Sequence, residues 1–144
     1  MKQMNKSKQW LGLFLIIALC GLMVMGCGKN EPTPRAAQKN WPADDTVISL
    51  YQHETGETTE ISLREYLYGV VAGEMDVNWP VEALAAQAIM ARTFTLEKIE
   101  DGGVAQRGTD ASTDINEFQA YNAEKINDAV KQAVDQTENL VAVY

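Results

Sequence analysis

The chain has 144 residues and a formal net charge of −8, from 12 Lys and Arg against 20 Asp and Glu, which suits about one domain. Lys2, Lys6 and Lys8 precede an apolar run, so the rest of the chain carries nine basic side chains and a charge near −11. That balance, with no basic stripe interleaved with aromatics, argues against a phosphate backbone as partner and sets nucleic acid aside.

Residues 1–9 are basic and residues 10–25 are almost wholly apolar, ending in Val24-Met25-Gly26-Cys27. A basic start, a short apolar stretch and a small residue at the cut describe a secretory signal. The run is short for a membrane span of about 20 residues. Its Gly-Cys ending resembles a bacterial lipobox, in which Cys27 is lipid-modified and becomes the mature N-terminus, although Met25 is less usual there than Ala or Ser. An uncleaved transmembrane anchor is the other reading. Either one places the remainder at the outer face of the cytoplasmic membrane. Cys20 and Cys27 both belong to this leader, so the folded part is expected to hold no disulfide and no cysteine-ligated zinc. Residues 28–45 are rich in Pro, Lys, Asn and Ala without a period and read as a flexible tether. The expected division is a signal peptide over 1–27, a tether over 28–45 and a domain over 46–144.

The domain opens on 46–52 (TVISLYQ), whose alternation and β-branching predict a strand. Residues 54–57 (ETGE) predict a turn with Gly56 free to take positive φ, and 58–61 the returning strand. His53, the single histidine, reads as a solvated turn residue. Ser62-Leu63-Arg64-Glu65 is a capping box that starts a first helix. Leu63, Tyr66, Leu67, Val70 and Val71 share one face of it, and Glu74 is the next position on that stripe. Gly69 and Gly73 each weaken a helix by about 1 kcal/mol relative to Ala. Their presence predicts a close backbone approach or room beside the helix. Trp79-Pro80 opens a second helix, with Pro80 at its first position. Val81, Leu84, Ala85, Ala88, Ile89 and Leu96 form its stripe, and its many alanines keep it thin.

Asp101-Gly102-Gly103 ends the second helix, and 103–116 reads as a long loop suited to binding. Residues 118–121 (FQAY) predict a short extended segment. Asn122 can cap a third helix with the stripe Ile126, Ala129, Val130, Ala133 and Val134. Asn139 suits a left-handed C-terminal position, and 140–144 predicts the start of a strand. A strand at the chain end without a partner predicts a domain that is C-terminally incomplete. The expected class is α+β: a β-ribbon, two helices joined at a Pro break, a long loop, a third helix and a terminal strand.

A carboxylate on an apolar helix face is expected to be poorly solvated. Desolvation and the negative helix end both favour its protonated form, which is what a general acid needs. Most glycosidases use two carboxylates. A lytic transglycosylase can work with one, since the sugar's own C6 hydroxyl replaces water. Pattern alone leaves two roles open for Glu74: this acid, or a structural group that caps the break or pairs with Arg92.

The run 65–75 (EYLYGVVAGEM), then Trp79-Pro80, 82–84 (EAL), 86–88 (AQA) and 91–94 (ARTF), closely resembles the stage II sporulation protein D family. The likeness continues more weakly through Gln119-Ala120-Tyr121 and Ala129-Val130. The resemblance implies a membrane-tethered, outward-facing lytic transglycosylase. It would cleave MurNAc–GlcNAc bonds of peptidoglycan strands lacking stem peptides and leave 1,6-anhydro ends, in engulfment during sporulation or in wall remodelling. It places the catalytic acid at Glu74. It also implies partners: glycan strands, the membrane through a lipid on Cys27, and other cell-wall hydrolases. A non-catalytic wall-binding or amidase-enhancing module is the competing implication. Ala85 stands where the family commonly has Lys, and Phe94 where Tyr is usual. Some members bind zinc near the Gln-x-Tyr segment; Ser112, Glu117 and Phe118 stand there in this chain, so neither metal nor cofactor is expected. Gln87 and Arg92 are candidates to orient Glu74 or touch sugar hydroxyls, or else to pack helices. Gln119 and Tyr121 are candidates to line the groove, or else an edge strand. Tyr66 and Trp79 are candidates to stack on sugars, or else core and hinge aromatics.

Overall fold

Alternating β-branched residues form the ribbon they predict. In the computed structural model, which describes residues 40–143, β1 (Val47–Tyr51) pairs antiparallel with β2 (Thr58–Ser62), Val47 opposite Ser62 and Tyr51 opposite Thr58. Ile48 and Leu50 face the core, and Val47 on the other face is exposed, as period-two alternation requires. Gly56 turns the ribbon at φ +75°. A third strand, β3 (Ala111–Ser112), pairs parallel to β1 and gives the order β2-β1-β3. The expected long loop thus contains a strand. Two residues carry no detectable period, and only the completed fold shows that both are fully buried.

Helix α1 (Leu63–Glu74) starts at Ser62 with both halves of the capping box formed. Leu63, Tyr66, Leu67, Val70 and Val71 are fully buried. Helix α2 (Val81–Glu100) buries Leu84, Ala85, Ala88, Ala91 and Leu96, the small residues admitting close neighbours. Pro80 is its N-cap rather than its first residue; the Pro80 carbonyl accepts from the amides of Ala83 and Leu84.

The third helix is shorter than its stripe predicts. Asn122 caps only a 3-10 turn (Ala123–Lys125). The extended backbone at Asn127 then breaks the run, and its side chain caps α3 (Asp128–Asp135) through the Val130 amide. Two successive Asn caps make two starts where one was expected. Val130, Ala133 and Val134 complete the core, and Asn139 takes the left-handed conformation at φ 59°.

The terminal strand does not form among the described residues. No sheet edge receives 140–143. The Leu140 carbonyl instead accepts from Arg92 Nη1 at 3.0 Å, and the Ala142 amide donates to Thr93 Oγ1 at 2.9 Å. Side chains of α2 take the backbone groups that a ladder would have used. The class is α+β, a three-stranded mixed sheet with helices.

The folded unit begins at Asn40, ahead of the expected boundary at 46, because Asp44 is wholly buried within it. The leader, Cys27 and the tether up to residue 39 lie outside the described residues. No helix among the described residues is long and apolar enough to cross a membrane.

Candidate functional site

Glu74 is the last residue of α1, and its side chain is exposed. The apolar stripe predicts burial there. The fully buried residues of α1, however, end at Ala72, and Met75 turns the chain to extended backbone, which leaves the Glu74 side chain exposed. Burial therefore does not desolvate this carboxylate. One oxygen is nonetheless fixed: Oε1 accepts from the Ala120 amide at 2.9 Å. Among the described residues no hydrogen bond is made to Oε2.

The segment that supplies this amide is strapped across α1, and the two glycines explain how. The Asn122 amide donates to the Gly69 carbonyl at 2.9 Å. A methyl on Gly69 would lie 2.1 Å from Tyr121 Cε2, and one on Gly73 would lie 2.8 Å from the Ala120 carbonyl carbon. One turn apart, they leave a bare strip of helix on which 120–122 lies. The close approach predicted from the glycines is what the structure shows. Gly73→Ala is expected to push against backbone rather than a yielding side chain. It should destabilise the domain by about 1–3 kcal/mol, as overpacking does. It should also displace the Ala120 amide from Glu74. Thermal melting and the Ala120 amide resonance check both; an unchanged pair would show that the strap does not need the glycine.

Aromatic packing holds the strap from below. The Tyr66 ring is fully buried and lies parallel to Tyr121, centroids 5.8 Å apart at 12°, and edge-on to Phe118 at 6.3 Å. Phe118 also meets Phe94 edge-on at 5.4 Å. Burial first, then the electrostatic influence of the neighbouring Tyr121 and Glu74, pushes the Tyr66 hydroxyl well above its usual range. Tyr66 is thus a core aromatic.

Of the other predicted residues, Gln119 and Tyr121 arrive beside Glu74 on the strap. Gln119 is buried, and its Oε1 lies 2.8 Å from Thr95 Oγ1 and 3.4 Å from the Tyr66 hydroxyl. It anchors the strap inward. Tyr121 is half-buried, and burial followed by the Glu65 charge raises its hydroxyl. Gln87 is half-buried on α2, with no hydrogen bond to Glu74. Arg92 is not brought to the site. It is fully buried and grips Asp44 bidentately, at 2.7 Å through Nε and 2.8 Å through Nη2. His53 is exposed, its Nδ1 3.2 Å from Asp114 Oδ2, on the sheet side of the chain. Sequence reasoning missed the Ala120 amide, because a backbone donor leaves no trace in residue type.

Chemically, the arrangement presents a carboxylate with one oxygen held and the other open to solvent. Such a group can give a proton to a ligand, or take one, without moving its anchor.

Comparison with known proteins places these features in a family context. The model of the family described as Stage II sporulation protein, SpoIID, matches residues 51–144. An uncharacterized protein of Brachyspira hyodysenteriae is 37% identical over 105 residues, 72% of this chain and 26% of the relative. Stage II sporulation protein D of Bacillus amyloliquefaciens is 35% identical over 90 residues, 62% of this chain and 26% of the relative. The amidase enhancer of Bacillus subtilis is 36% identical over 78 residues, 54% of this chain and 10% of the relative. The matched part is thus about a quarter or less of each relative.

Proposed function

We propose, from the premise that this chain belongs to the stage II sporulation protein D family, that it acts on the bacterial cell wall as a lytic transglycosylase with Glu74 as its acid and base. One observation carries the reading. Glu74 stands exposed at a helix end, with Oε1 tied to the Ala120 amide and Oε2 making no hydrogen bond among the described residues. A strand laid over it meets a carboxyl of fixed orientation.

The chemistry needs one carboxyl in two forms. Glu74 gives its proton to the glycosidic oxygen between MurNAc and GlcNAc, and the bond from MurNAc C1 to that oxygen breaks. The resulting carboxylate takes the proton of the C6 hydroxyl on the same MurNAc. O6 then bonds to C1 and closes the 1,6-anhydro ring. The carboxyl is restored and no water is consumed. A strand covering the site also excludes water, supplying the desolvation that the open position lacks.

The likeness to an amidase enhancer favours a second reading, a glycan-binding module without chemistry. Peptidoglycan strands freed of stem peptides separate the two. Mass spectrometry of the digest is expected to show anhydro-muramic ends accumulating with protein. Strands that bind but stay intact would remove the enzyme and leave the module.

A further inference from the structure

The corner between α1 and α2 carries the feature that this mechanism does not use. Trp79 is 53% exposed, although tryptophan has the largest apolar surface of any side chain. The backbone beneath it is fixed. The Trp79 amide donates to the Asp76 carbonyl at 3.0 Å, closing a tight turn. Asp76 Oδ1 accepts from the amide and the side chain of Asn78, each at 3.0 Å, and these bonds hold its carboxyl below the usual range. Asn127 Nδ2 donates to the Val77 carbonyl at 3.3 Å, tying the corner to the cap of α3. Met75 and Val77 pack against the core, while Asp76, Asn78 and Trp79 are exposed. Trp41, by contrast, is packed against the core. The corner thus holds a rigid backbone and turns an aromatic ring outward.

Two virtual bonds and a closed turn put the Trp79 Cα within roughly 15 Å of the Glu74 Cα. We propose that Trp79 is a sugar-stacking residue that seats a neighbouring ring of the glycan strand and so positions the scissile bond at Glu74. This rests on the glycan reading above. A pyranose presents a face of C–H bonds, which the electron-rich face of an indole accepts. The carboxylates of Asp76 and Glu74, both exposed, add acceptors for the sugar hydroxyls that surround that face.

The test uses the whole chain carrying Glu74→Gln, so that strands bind without being cut. Isothermal titration with peptide-free glycan strands should show Trp79→Ala binding roughly tenfold more weakly, while Trp79→Phe stays within about threefold. The indole emission should shift on titration with Trp79 present and not with Trp79→Ala. Both variants should melt with the parent, because the ring is exposed. Equal affinity for Trp79→Ala and its parent overturns the stacking role, and if the unmutated chain still yields anhydro ends the enzyme reading survives. No binding by any form, with no anhydro ends, overturns both.

Discussion

Asp44→Ala is expected to cost the domain about 3–5 kcal/mol, the usual result of stranding one half of a buried ion pair. Arg92 and Asp44 are both fully buried, and their two parallel bonds are 2.7 and 2.8 Å. The remaining contacts make the pair a junction. Arg92 Nη1 holds the Leu140 carbonyl at 3.0 Å and Nη2 reaches the Val134 carbonyl at 3.5 Å. The Asp44 amide donates to Asn139 Oδ1 at 3.0 Å, and its carbonyl accepts from the Arg64 amide at 2.8 Å. The entry of the chain, the start of α1, the middle of α2 and the end of α3 therefore meet at one charge pair. Against a total stability of about 5–15 kcal/mol for a native domain, the loss is a large share of the whole. Removing both partners is expected to cost less than the sum of the single losses, because no uncompensated charge then stays buried. Urea unfolding of the two single variants and the double measures the coupling. A single variant that loses under about 1 kcal/mol would show that water reaches Arg92, contrary to its burial.

That junction joins residues that no local sequence pattern connects. Arg92 stood out in the sequence as a polar residue on a thin helix. Its partner lies 48 positions earlier, in a stretch whose composition reads as tether. Nothing local joins them; only the fold does. The same holds for β3, whose two residues gain strand character from lying beside Leu50 and Tyr51. Signals that act within a few residues were legible. The Ser62 capping box, the glycine turn at Gly56, the left-handed Asn139 and the bare strip at Gly69 and Gly73 each follow from local sterics or local hydrogen bonding. The stripe ending in Glu74 shows the limit of periodicity. It predicts which way a side chain points, but not whether the core still extends that far. Position on the helix was readable, and solvation was not.

Glu74→Gln is expected to abolish the formation of anhydro ends, lowering the rate by at least about 10²–10⁴-fold, the range that a positioned acid or base contributes. The substitution is informative because it keeps nearly everything else. Glutamine retains a carbonyl oxygen at the same reach, so the 2.9 Å bond from the Ala120 amide can persist and the strap need not move. The side chain is exposed, so folding stability should stay within about 0.5 kcal/mol of the parent. Only the capacity to give and take a proton disappears. Glu74→Asp supplies the complementary case. It keeps the proton chemistry but draws the carboxyl back by one methylene, out of reach of the Ala120 amide and of a strand seated for the longer side chain. It should retain a small residual activity above that of Glu74→Gln. The pair is scored on peptide-free strands by the yield of anhydro-muramic ends, with melting temperatures as the control for folding. Equal activity of Glu74→Gln and the parent would remove Glu74 from the chemistry. Loss of activity accompanied by a collapse in melting temperature would show instead that the carboxylate serves chiefly to hold Ala120 against α1.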